Sequence, residues 1–397
     1  MIVTSRSEHH KTTQAAQEIA KDAKGRLNGS PGWAIAFCAG KHDDETFFQA
    51  LRAELGGIPI LGGAAIGITT NEKNGYTGFE CGLALFDKAK GLPQIFKVNE
   101  LDLGEVAAGK LLGSQIKGKA PGQALLFYDS LRTPPPPAPM LNAGSLLLEG
   151  LYQGLAGEQL EIIGAGTIAD YQFSKCSVFT GDAVERQVAV IALLPANYKV
   201  ESKVLHGCEP LSSFLEITKV EGPLLHEIDG RPALDVVLET LGQEKNETNI
   251  KNLGMVVTLG QKLGDQFSLD EQNYVNRLIV TAIPQTGSLV LFEADFQVGA
   301  KIQLMSRSND MMLESLTEGA TEMLEDHPTA NFAFYINCAG RSAAFSGSEE
   351  EDADLLRGVI GHKMPLLGFY SGVEIAPMQN RSRPLDWTGV LTLWKIN

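Results

Sequence analysis

Cysteine is scarce in this chain, and its few thiols are far apart. The five cysteines are odd in number, and no pair has the Cys-x-x-Cys spacing that zinc and dithiol sites use. They are Cys38, Cys81, Cys176, Cys208 and Cys338. A disulfide framework is therefore excluded as the basis of the fold, and free thiols in a reducing compartment are expected.

Basic residues and long apolar runs are also in short supply. Lys and Arg number 33 against 48 Asp and Glu, and the formal net charge of −15 argues against a nucleic-acid-binding protein. The longest apolar stretch, residues 188–196, is too short to span a bilayer, and residues 1–26 have no apolar signal region. We therefore expect a cytoplasmic protein with no nucleic-acid partner and no membrane insertion.

Signatures of cofactor and metal sites are missing as well. The seven histidines do not cluster, apart from the neighbours His9 and His10. His226 lacks the second histidine of a zinc protease motif, and no helical pattern follows Gly164-Ala-Gly166 as a Rossmann site requires. We therefore expect no cofactor and no metal.

An apolar strand pattern runs into a Cys-Ala-Gly turn twice, over residues 33–40 and again over residues 332–341. A short apolar run that is rich in aromatic and β-branched residues and closed by glycine predicts a buried strand. Only the second turn adds an arginine, Arg341. Because ligands often gather at the carboxyl ends of strands, the pair predicts an internal repeat with a site in one copy.

The order of predicted elements repeats along the chain. A strand, a helix, a strand ending in glycine and an antiparallel pair follow each other from residues 33, 124 and 332 onward, and residues 250–325 are a candidate fourth, diverged copy. The pattern predicts an α+β fold made of tandem duplicated strand-helix-strand-hairpin units. These units would form mixed and antiparallel sheets with helices packed outside.

Four motifs carry a resemblance to a known family. Asp229-Gly-Arg-Pro-Ala233, Cys338-Ala-Gly-Arg341 and Gly368-Phe-Tyr-Ser-Gly-Val-Glu374-Ile375 follow each other as in the C-terminal FIST domain. Pro59-Ile-Leu-Gly62-Gly63 and the hairpin pattern after it resemble the N-terminal FIST domain. The chain differs from the family at Val373, where a glycine usually precedes the glutamate.

The resemblance covers nearly the whole chain and implies two domains. Residues 1–205 would form the FIST N-terminal domain and residues 206–397 the FIST C-terminal domain of a stand-alone bacterial protein. The family implies a sensory module of signal transduction, with amino acids as suggested ligands and no enzyme activity.

Cys338, Arg341, Tyr370 and Glu374 are the predicted ligand-binding residues. An arginine grips a carboxylate and lowers the pKa of a nearby thiol, while Glu374 would receive an ammonium group and Tyr370 would form an aromatic wall. The structural alternative also stands. In that alternative Cys338 is a small buried side chain, Tyr370 is a core aromatic, and Arg341 pairs with an internal carboxylate such as Glu374.

We therefore expect a cytoplasmic sensory protein that binds a small polar metabolite, with amino acids among the candidates, and signals through a protein partner. One alternative is a cysteine-dependent hydrolase or transferase using Cys338, although nothing in the sequence places its nearest histidine, His362, beside the thiol. The other alternative is an interaction scaffold that needs no ligand. No catalytic constellation is found in the sequence, so the prediction is that the protein is not an enzyme.

Overall fold

The computed structural model describes residues 1–119, 122–136, 139–265, 267–268 and 270–397. The α-helices in these ranges are α1 (Thr12–Arg26), α2 (Asp44–Glu54), α3 (Glu105–Ile116), α4 (Gly144–Leu155), α5 (Ala233–Thr240), α6 (Glu247–Val256), α7 (Asn309–Asp326), α8 (Ala343–Ser346) and α9 (Asp352–Ile360). The strands are β1 (Ile2–Ser7), β2 (Pro31–Ala39), β3 (Ile60–Ala65), β4 (Ile68–Thr70), β5 (Asn74–Gly75), β6 (Cys81–Asp87), β7 (Gln94–Val98), β8 (Gln123–Asp129), β9 (Leu131–Thr133), β10 (Met140–Leu141), β11 (Glu161–Thr167), β12 (Val178–Gly181), β13 (Val184–Glu185), β14 (Ala189–Leu193), β15 (Tyr198–Leu205), β16 (Leu215–Glu221), β17 (Leu224–Ile228), β18 (Arg231–Pro232), β19 (Val257–Lys262), β20 (Tyr274–Ile283), β21 (Ser288–Leu291), β22 (Lys301–Ser306), β23 (Phe332–Cys338), β24 (Leu366–Ser371), β25 (Val373–Met378), β26 (Arg381–Leu385) and β27 (Gly389–Ile396).

Three six-stranded sheets in the described ranges are each built around one parallel pair of strands. The pairs are β2–β3, β8–β11 and β23–β24, and a helix lies between the two strands of each pair in the chain. An antiparallel strand, β6, β14 or β27, flanks the first strand of its pair. The predicted α+β class and its repeated strand-helix-strand-hairpin order are confirmed.

The three sheets exchange strands in a closed cycle. After β3 the chain crosses to pair β4 with β24, after β24 it crosses to pair β25 with β11, and after β11 it crosses to pair β12 with β3. Two of the three sheets therefore contain strands from both predicted domains, residues 1–205 and 206–397. The boundary at residue 205 stays a prediction.

Strand β2 shows why its sequence is apolar without interruption. Trp33, Ile35 and Phe37 point into a core that the three sheets share, while Ala34 and Ala36 face the helices on the other side. Side chains alternate between the two faces of a strand, so a strand covered on both faces is apolar at every position. The larger side chains fill the shared core, and the small ones let the helices approach.

The helices cover the outer faces of the three sheets, as predicted. Helices α1 and α2 pack on the sheet that contains β2, α3 and α4 on the sheet that contains β8, and α7 and α9 on the sheet that contains β23. No helix in the described ranges has both the length and the apolar character needed to cross a membrane.

The strands β16 to β22, which lie between Leu215 and Ser306, form a separate closed sheet, which we call the barrel. Its strands follow the order β16, β22, β19, β20, β21 and β17, and β17 pairs with β16 to close the circle. Strand β19 is antiparallel to both of its neighbours, so the predicted fourth copy over residues 250–325 is wrong. The spacing of apolar residues matched the repeat, but it does not distinguish parallel from antiparallel pairing.

Candidate functional site

A cavity of about 270 Å³ lies between the barrel and one end of the three sheets. Ile66, Ile168 and Gly372 line it, and each lies at a point where the chain crosses from one sheet to another. The carboxyl ends of the parallel strands meet at this end of the molecule. Leu278 and Phe292 from the barrel contribute apolar surface on the opposite side. The strand exchange thus brings residues from distant parts of the chain to one cavity.

Arg307 lines this cavity and is almost completely buried, with 7% of its surface exposed. None of its three guanidinium nitrogens has a hydrogen-bond partner among the residues that the structure describes. The guanidinium lies over the ring of Trp387, with Cζ 3.2 Å from the ring centre. Burial lowers the pKa of Arg307 to about 10, so the group is still charged at neutral pH. A charged guanidinium without an ion-pair partner among the described residues therefore lies at the wall of the cavity.

The local sequence fixes Arg307 between two elements. Strand β22 ends at Ser306, and Ser308 caps helix α7 by accepting a hydrogen bond of 3.1 Å from the Met311 backbone N–H. The Arg307 backbone N–H donates to the Val256 carbonyl at 3.0 Å. Arg307 is not among the residues that the sequence predicts for the site. The available signal was a single arginine between a strand pattern and a serine N-cap.

Asp386 and Trp387 reach the cavity from the turn between β26 and β27. Trp387 has a φ of 56°, a left-handed conformation that few residues other than glycine adopt. The Asp386 Oδ2 atom accepts a hydrogen bond of 2.9 Å from the Leu278 backbone N–H, which comes from the barrel. Burial raises the pKa of Asp386 to about 6. Neither residue is predicted from the sequence, because the approach of both side chains to the cavity depends on the turn and not on a motif.

Cys338 lines the same cavity, as expected for a site at the second Cys-Ala-Gly turn. Burial raises the pKa of its thiol, and the neighbouring Glu374 raises it further. The expected lowering of the pKa by Arg341 is therefore not found, and at neutral pH the sulfur stays a thiol. A Cβ atom at Gly340 would lie 3.3 Å from the Trp387 ring, so glycine lets the turn approach this ring closely.

Arg341 lies in the protein interior and is paired there. Its Nε donates to Asp352 Oδ2 at 2.9 Å, and its Nη1 donates to the Leu205 carbonyl at 2.7 Å. Asp352 also accepts hydrogen bonds from Tyr335 and Asn337. Burial opposes the charge, but Tyr335 and Asp352 raise the pKa of Arg341 above its ordinary value. The internal carboxylate that pairs with Arg341 is thus Asp352, where the sequence suggested Glu374.

Glu374 is fully buried beneath the cavity, next to Ser371. The Ser371 hydroxyl lies 2.7 Å from Glu374 Oε1 and 3.1 Å from the Asn337 carbonyl. The hydroxyl donates to Glu374 Oε1, while the buried Oε2 atom has no hydrogen-bond partner among the described residues. Burial raises the pKa of Glu374 well above its ordinary value, in agreement with this geometry.

Tyr370 is buried in the core against helix α9. Its hydroxyl donates to Glu351 at 3.0 Å and accepts a hydrogen bond from Asn74 at 3.2 Å. Of the four predicted residues, only Cys338 is among the described residues that line the cavity. No group of His, Cys, Asp and Glu side chains suited to a metal ion occurs in the described part of the chain.

Comparison with known proteins identifies the family. The model of the FIST N domain matches residues 32–231, and that of the FIST C domain matches residues 233–377. The chain belongs to the FIST family. FIST domains are associated with sensory signalling, and the resemblance stated from the sequence is confirmed.

Relatives of this FIST protein match nearly all of the chain or about half of it. The uncharacterized protein MT0656 of Mycobacterium tuberculosis (strain CDC 1551 / Oshkosh) is 25% identical over 390 residues, which is 96% of each chain. The uncharacterized protein Mb0898c of Mycobacterium bovis is 28% identical over 196 residues, 48% of this chain and 49% of the relative. These names assign no activity, so the expectation that the FIST protein is not an enzyme stays a prediction.

A search of solved structures finds the crystal structure of a chorismatase. It aligns with 100% of the FIST chain and 98% of its own chain, at 9% sequence identity and a TM-score of 0.34. A likeness this weak supports no conclusion about function.

Proposed function

We propose that this FIST protein is a sensor that binds a small carboxylate with an apolar body in the cavity beside Arg307. The observation that carries the proposal is the buried guanidinium of Arg307, which has no partner among the described residues. Moving a cation from water into the protein interior costs roughly several kcal/mol of free energy unless a counterion compensates its charge. A bound carboxylate supplies that charge and accepts two parallel hydrogen bonds from one guanidinium.

The walls of the cavity favour a ligand with an apolar body. Aliphatic and aromatic side chains form most of the lining, including Ile66, Ile168, Phe173, Leu278 and Phe292. Small-molecule sites commonly combine such walls with a few polar groups that fix the orientation of the ligand. The cavity volume equals the volume that about nine molecules occupy in liquid water. This volume suits a ligand with a single ring or a branched chain and a polar end. Apolar amino acids, the ligand class that the family suggested, meet these requirements.

The position of the cavity provides a route for a signal. A ligand there would contact both the barrel and the ends of the three sheets, and it would favour the arrangement in which the two surround it. A protein partner that distinguishes this arrangement from the free one would receive the signal. We place the protein in the cytoplasm, because all five cysteines lie in the described ranges, are buried and form no disulfide.

The four residues predicted from the sequence receive different roles in this proposal. Cys338 contacts the ligand, while Arg341 and Glu374 hold the turn and the strand ends beneath it. Tyr370 belongs to the packing behind the cavity. The buried, protonated thiol of Cys338 disfavours the cysteine-dependent hydrolase or transferase, because the thiolate is the reactive form.

The proposal is tested by thermal unfolding with 3-phenylpropionate and with its uncharged analogue 3-phenylpropanamide. At 100 times the dissociation constant the acid should stabilise the wild type by about 2.7 kcal/mol and raise Tm by about 2–5 °C. The amide should have little effect. The Arg307→Met variant should lose the response to the acid, while Arg186→Met, which removes an exposed arginine, should keep it. Equal responses of wild type and Arg307→Met would show that Arg307 does not bind the carboxylate.

A further inference from the structure

The cavity beside Arg307 reaches the protein surface at an apolar rim, which we call the mouth. The mouth is formed by Phe173, Met255, Val280 and Phe345, which all line the cavity and are partly or largely exposed. Phe345 is 50% exposed and Val280 is 54% exposed, whereas Arg307 is 7% exposed. The guanidinium therefore lies at the inner end of the cavity, and an apolar surface lies at its outer end. An exposed apolar surface that continues a cavity is typical of a ligand-binding groove.

The fold holds Phe345 in place at the mouth. This residue lies in α8, a single helical turn whose Ala343 backbone N–H donates to Glu351 Oε1 at 3.0 Å. The Phe345 ring stacks on the Tyr171 ring, with 6.1 Å between the ring centres and 10° between the ring planes. Tyr171 is in turn hydrogen-bonded to the Ser342 hydroxyl, directly before α8. These contacts fix a half-exposed aromatic ring beside the cavity.

A β-bulge places Val280 at the mouth. The register between β20 and β21 shifts between Ile279 and Thr281, so Val280 is an extra residue without a partner in β21. Bulges redirect side chains and are frequent beside functional sites. Ile279 packs in the core of the barrel, while Val280 stays at the surface. The bulge therefore presents an apolar side chain at the rim of the cavity.

The volume of the cavity limits how much of a ligand lies inside it. A carbon atom of an aliphatic chain takes nearly the space of a water molecule, so about 270 Å³ holds a carboxylate group and about six further carbons. Any further carbons of the chain leave through the mouth. There they cover the exposed surfaces of Val280 and Phe345 on one side and face solvent on the other.

We propose that the apolar body of the ligand is an unbranched aliphatic chain that passes through the mouth and lies over Val280 and Phe345. The ligand class is then a fatty acid with more than about seven carbons. This inference rests on the proposed function, because Arg307 binds the carboxylate at the inner end of the cavity.

An aliphatic chain suits the mouth better than a peptide does. A peptide brings backbone N–H and C=O groups that need hydrogen-bond partners. Met255 and Phe345 lie in helices α6 and α8, where backbone groups bond within the helix, so these residues offer mainly apolar side chains. Lys251 also lines the cavity, but it is exposed, so its ammonium group can stay in water while its aliphatic stem extends the apolar surface. A hydrocarbon chain needs no polar partner on this surface.

The test compares straight-chain acids of increasing length, which are butanoate, hexanoate, octanoate, decanoate and dodecanoate. Dissociation constants are measured by calorimetry at pH 7.5 on the wild-type protein, below the concentrations at which the acids form micelles. Affinity should rise about 4-fold per methylene while the cavity fills, and about 2-fold for each methylene that the mouth covers on one side. Dodecanoate should therefore bind about 10-fold or more tightly than octanoate. An affinity that stops rising at about seven carbons would overturn the inference.

Substitutions at the mouth show where the added carbons bind. Phe345→Ser removes the half-exposed ring and should weaken dodecanoate about 5-fold more than hexanoate, whose chain ends inside the cavity. Phe267→Ser removes a phenyl ring that is 83% exposed and is not among the described residues lining the cavity, so the ratio of the two affinities should stay as in the wild type. Circular dichroism shows whether each variant folds. If Phe345→Ser does not, Val280→Thr replaces it, with an expected selective loss of about 2-fold.

The outcomes separate this inference from the proposed function. If hexanoate binds with Arg307-dependent affinity but longer chains give no advantage, the chain site at the mouth is wrong and the carboxylate sensor stands. An equal loss of hexanoate and dodecanoate affinity in a folded Phe345→Ser variant has the same meaning. Tighter binding of leucine or of the peptide Gly-Gly-Leu than of dodecanoate would also overturn the chain site. If no acid binds, or if binding persists in Arg307→Met, the proposed function fails and the chain site fails with it.

Discussion

Two buried arginines near Cys338 differ in what their guanidinium groups contact. Arg341 is bound to Asp352 and to the Leu205 carbonyl, and Asp352 is in turn bound to two further side chains. Arg307 is stacked on Trp387 and has no hydrogen-bond partner for its guanidinium among the described residues. The first arginine has its counterion inside the protein, and the second has a cavity beside it.

This difference separates a structural charge from a binding charge. A buried cation with a well-placed carboxylate has its charge compensated within the folded protein, so Arg341 holds the fold, although its Nη2 atom has no hydrogen-bond partner among the described residues. A buried cation without a carboxylate beside it lowers the stability of the ligand-free protein, and a bound carboxylate restores that stability. Residues of the second kind typically reduce stability for the sake of function. Variants of the two arginines should therefore change stability in opposite directions.

The largest effect is expected for Arg341→Met. Removal of this guanidinium leaves the Asp352 carboxylate buried without its cation, which should lower the free energy of unfolding by about 3–5 kcal/mol. Urea unfolding at pH 7 measures the change. As a control, Asp352→Asn in the same chain keeps an acceptor for Asn337 and removes the orphaned charge, so the double variant should recover at least about 1 kcal/mol. A loss below about 1 kcal/mol in the single variant would mean that the pair does not hold the fold.

A smaller change of opposite sign is expected for Arg307→Met in the absence of ligand. Methionine fills similar space without a charge, so the free energy of unfolding should rise by about 1–2 kcal/mol after the loss of the contact with the Trp387 ring is counted. The same urea experiment measures it, with Arg186→Met as the exposed control. A clear destabilisation would show that Arg307 is satisfied within the protein, and the distinction between the two arginines would disappear.

The smallest effect at acidic pH is expected for Glu374→Gln. If Glu374 is protonated in the folded protein, replacement of its carboxyl by an amide should change the free energy of unfolding by less than about 1 kcal/mol at pH 5. If Glu374 were instead an ionised partner of Arg341, the same replacement would lower the free energy of unfolding by several times as much. Because folding raises the pKa of Glu374, its contribution to stability is full below its unfolded pKa and is lost as the pH rises. Unfolding curves from pH 5 to 8 should therefore show the wild type losing stability relative to the variant. A wild-type advantage that grows with pH would contradict the protonated state.

The sequence allowed much of the fold to be predicted, for a physical reason. Strands such as β2 are buried on both faces, so their apolar runs stand out, and three copies of the same element order support each other. The exchange of strands between sheets could not be predicted, because it depends on pairing between segments far apart in the chain. The barrel strands repeated the spacing of the other copies but pair antiparallel.

The candidate site was predicted in part. The Cys338 turn carries a local motif, and it does line the cavity. The same motif predicts Arg341 as a site residue, but its partner Asp352 begins a helix whose acidic residues do not indicate the pairing. Arg307 is distinguished by the absence of a partner in the described structure, which is a property of the fold and not of the sequence around it.

The most direct test of the carboxylate site is a crystal structure with 3-(4-bromophenyl)propionate, in which anomalous scattering locates the bromine. We expect the bromine among the apolar walls of the cavity and the carboxylate oxygens about 2.7–2.9 Å from the Arg307 guanidinium nitrogens. A carboxylate bound elsewhere, or an Arg307 guanidinium paired with a protein carboxylate while the cavity stays empty, would contradict the account.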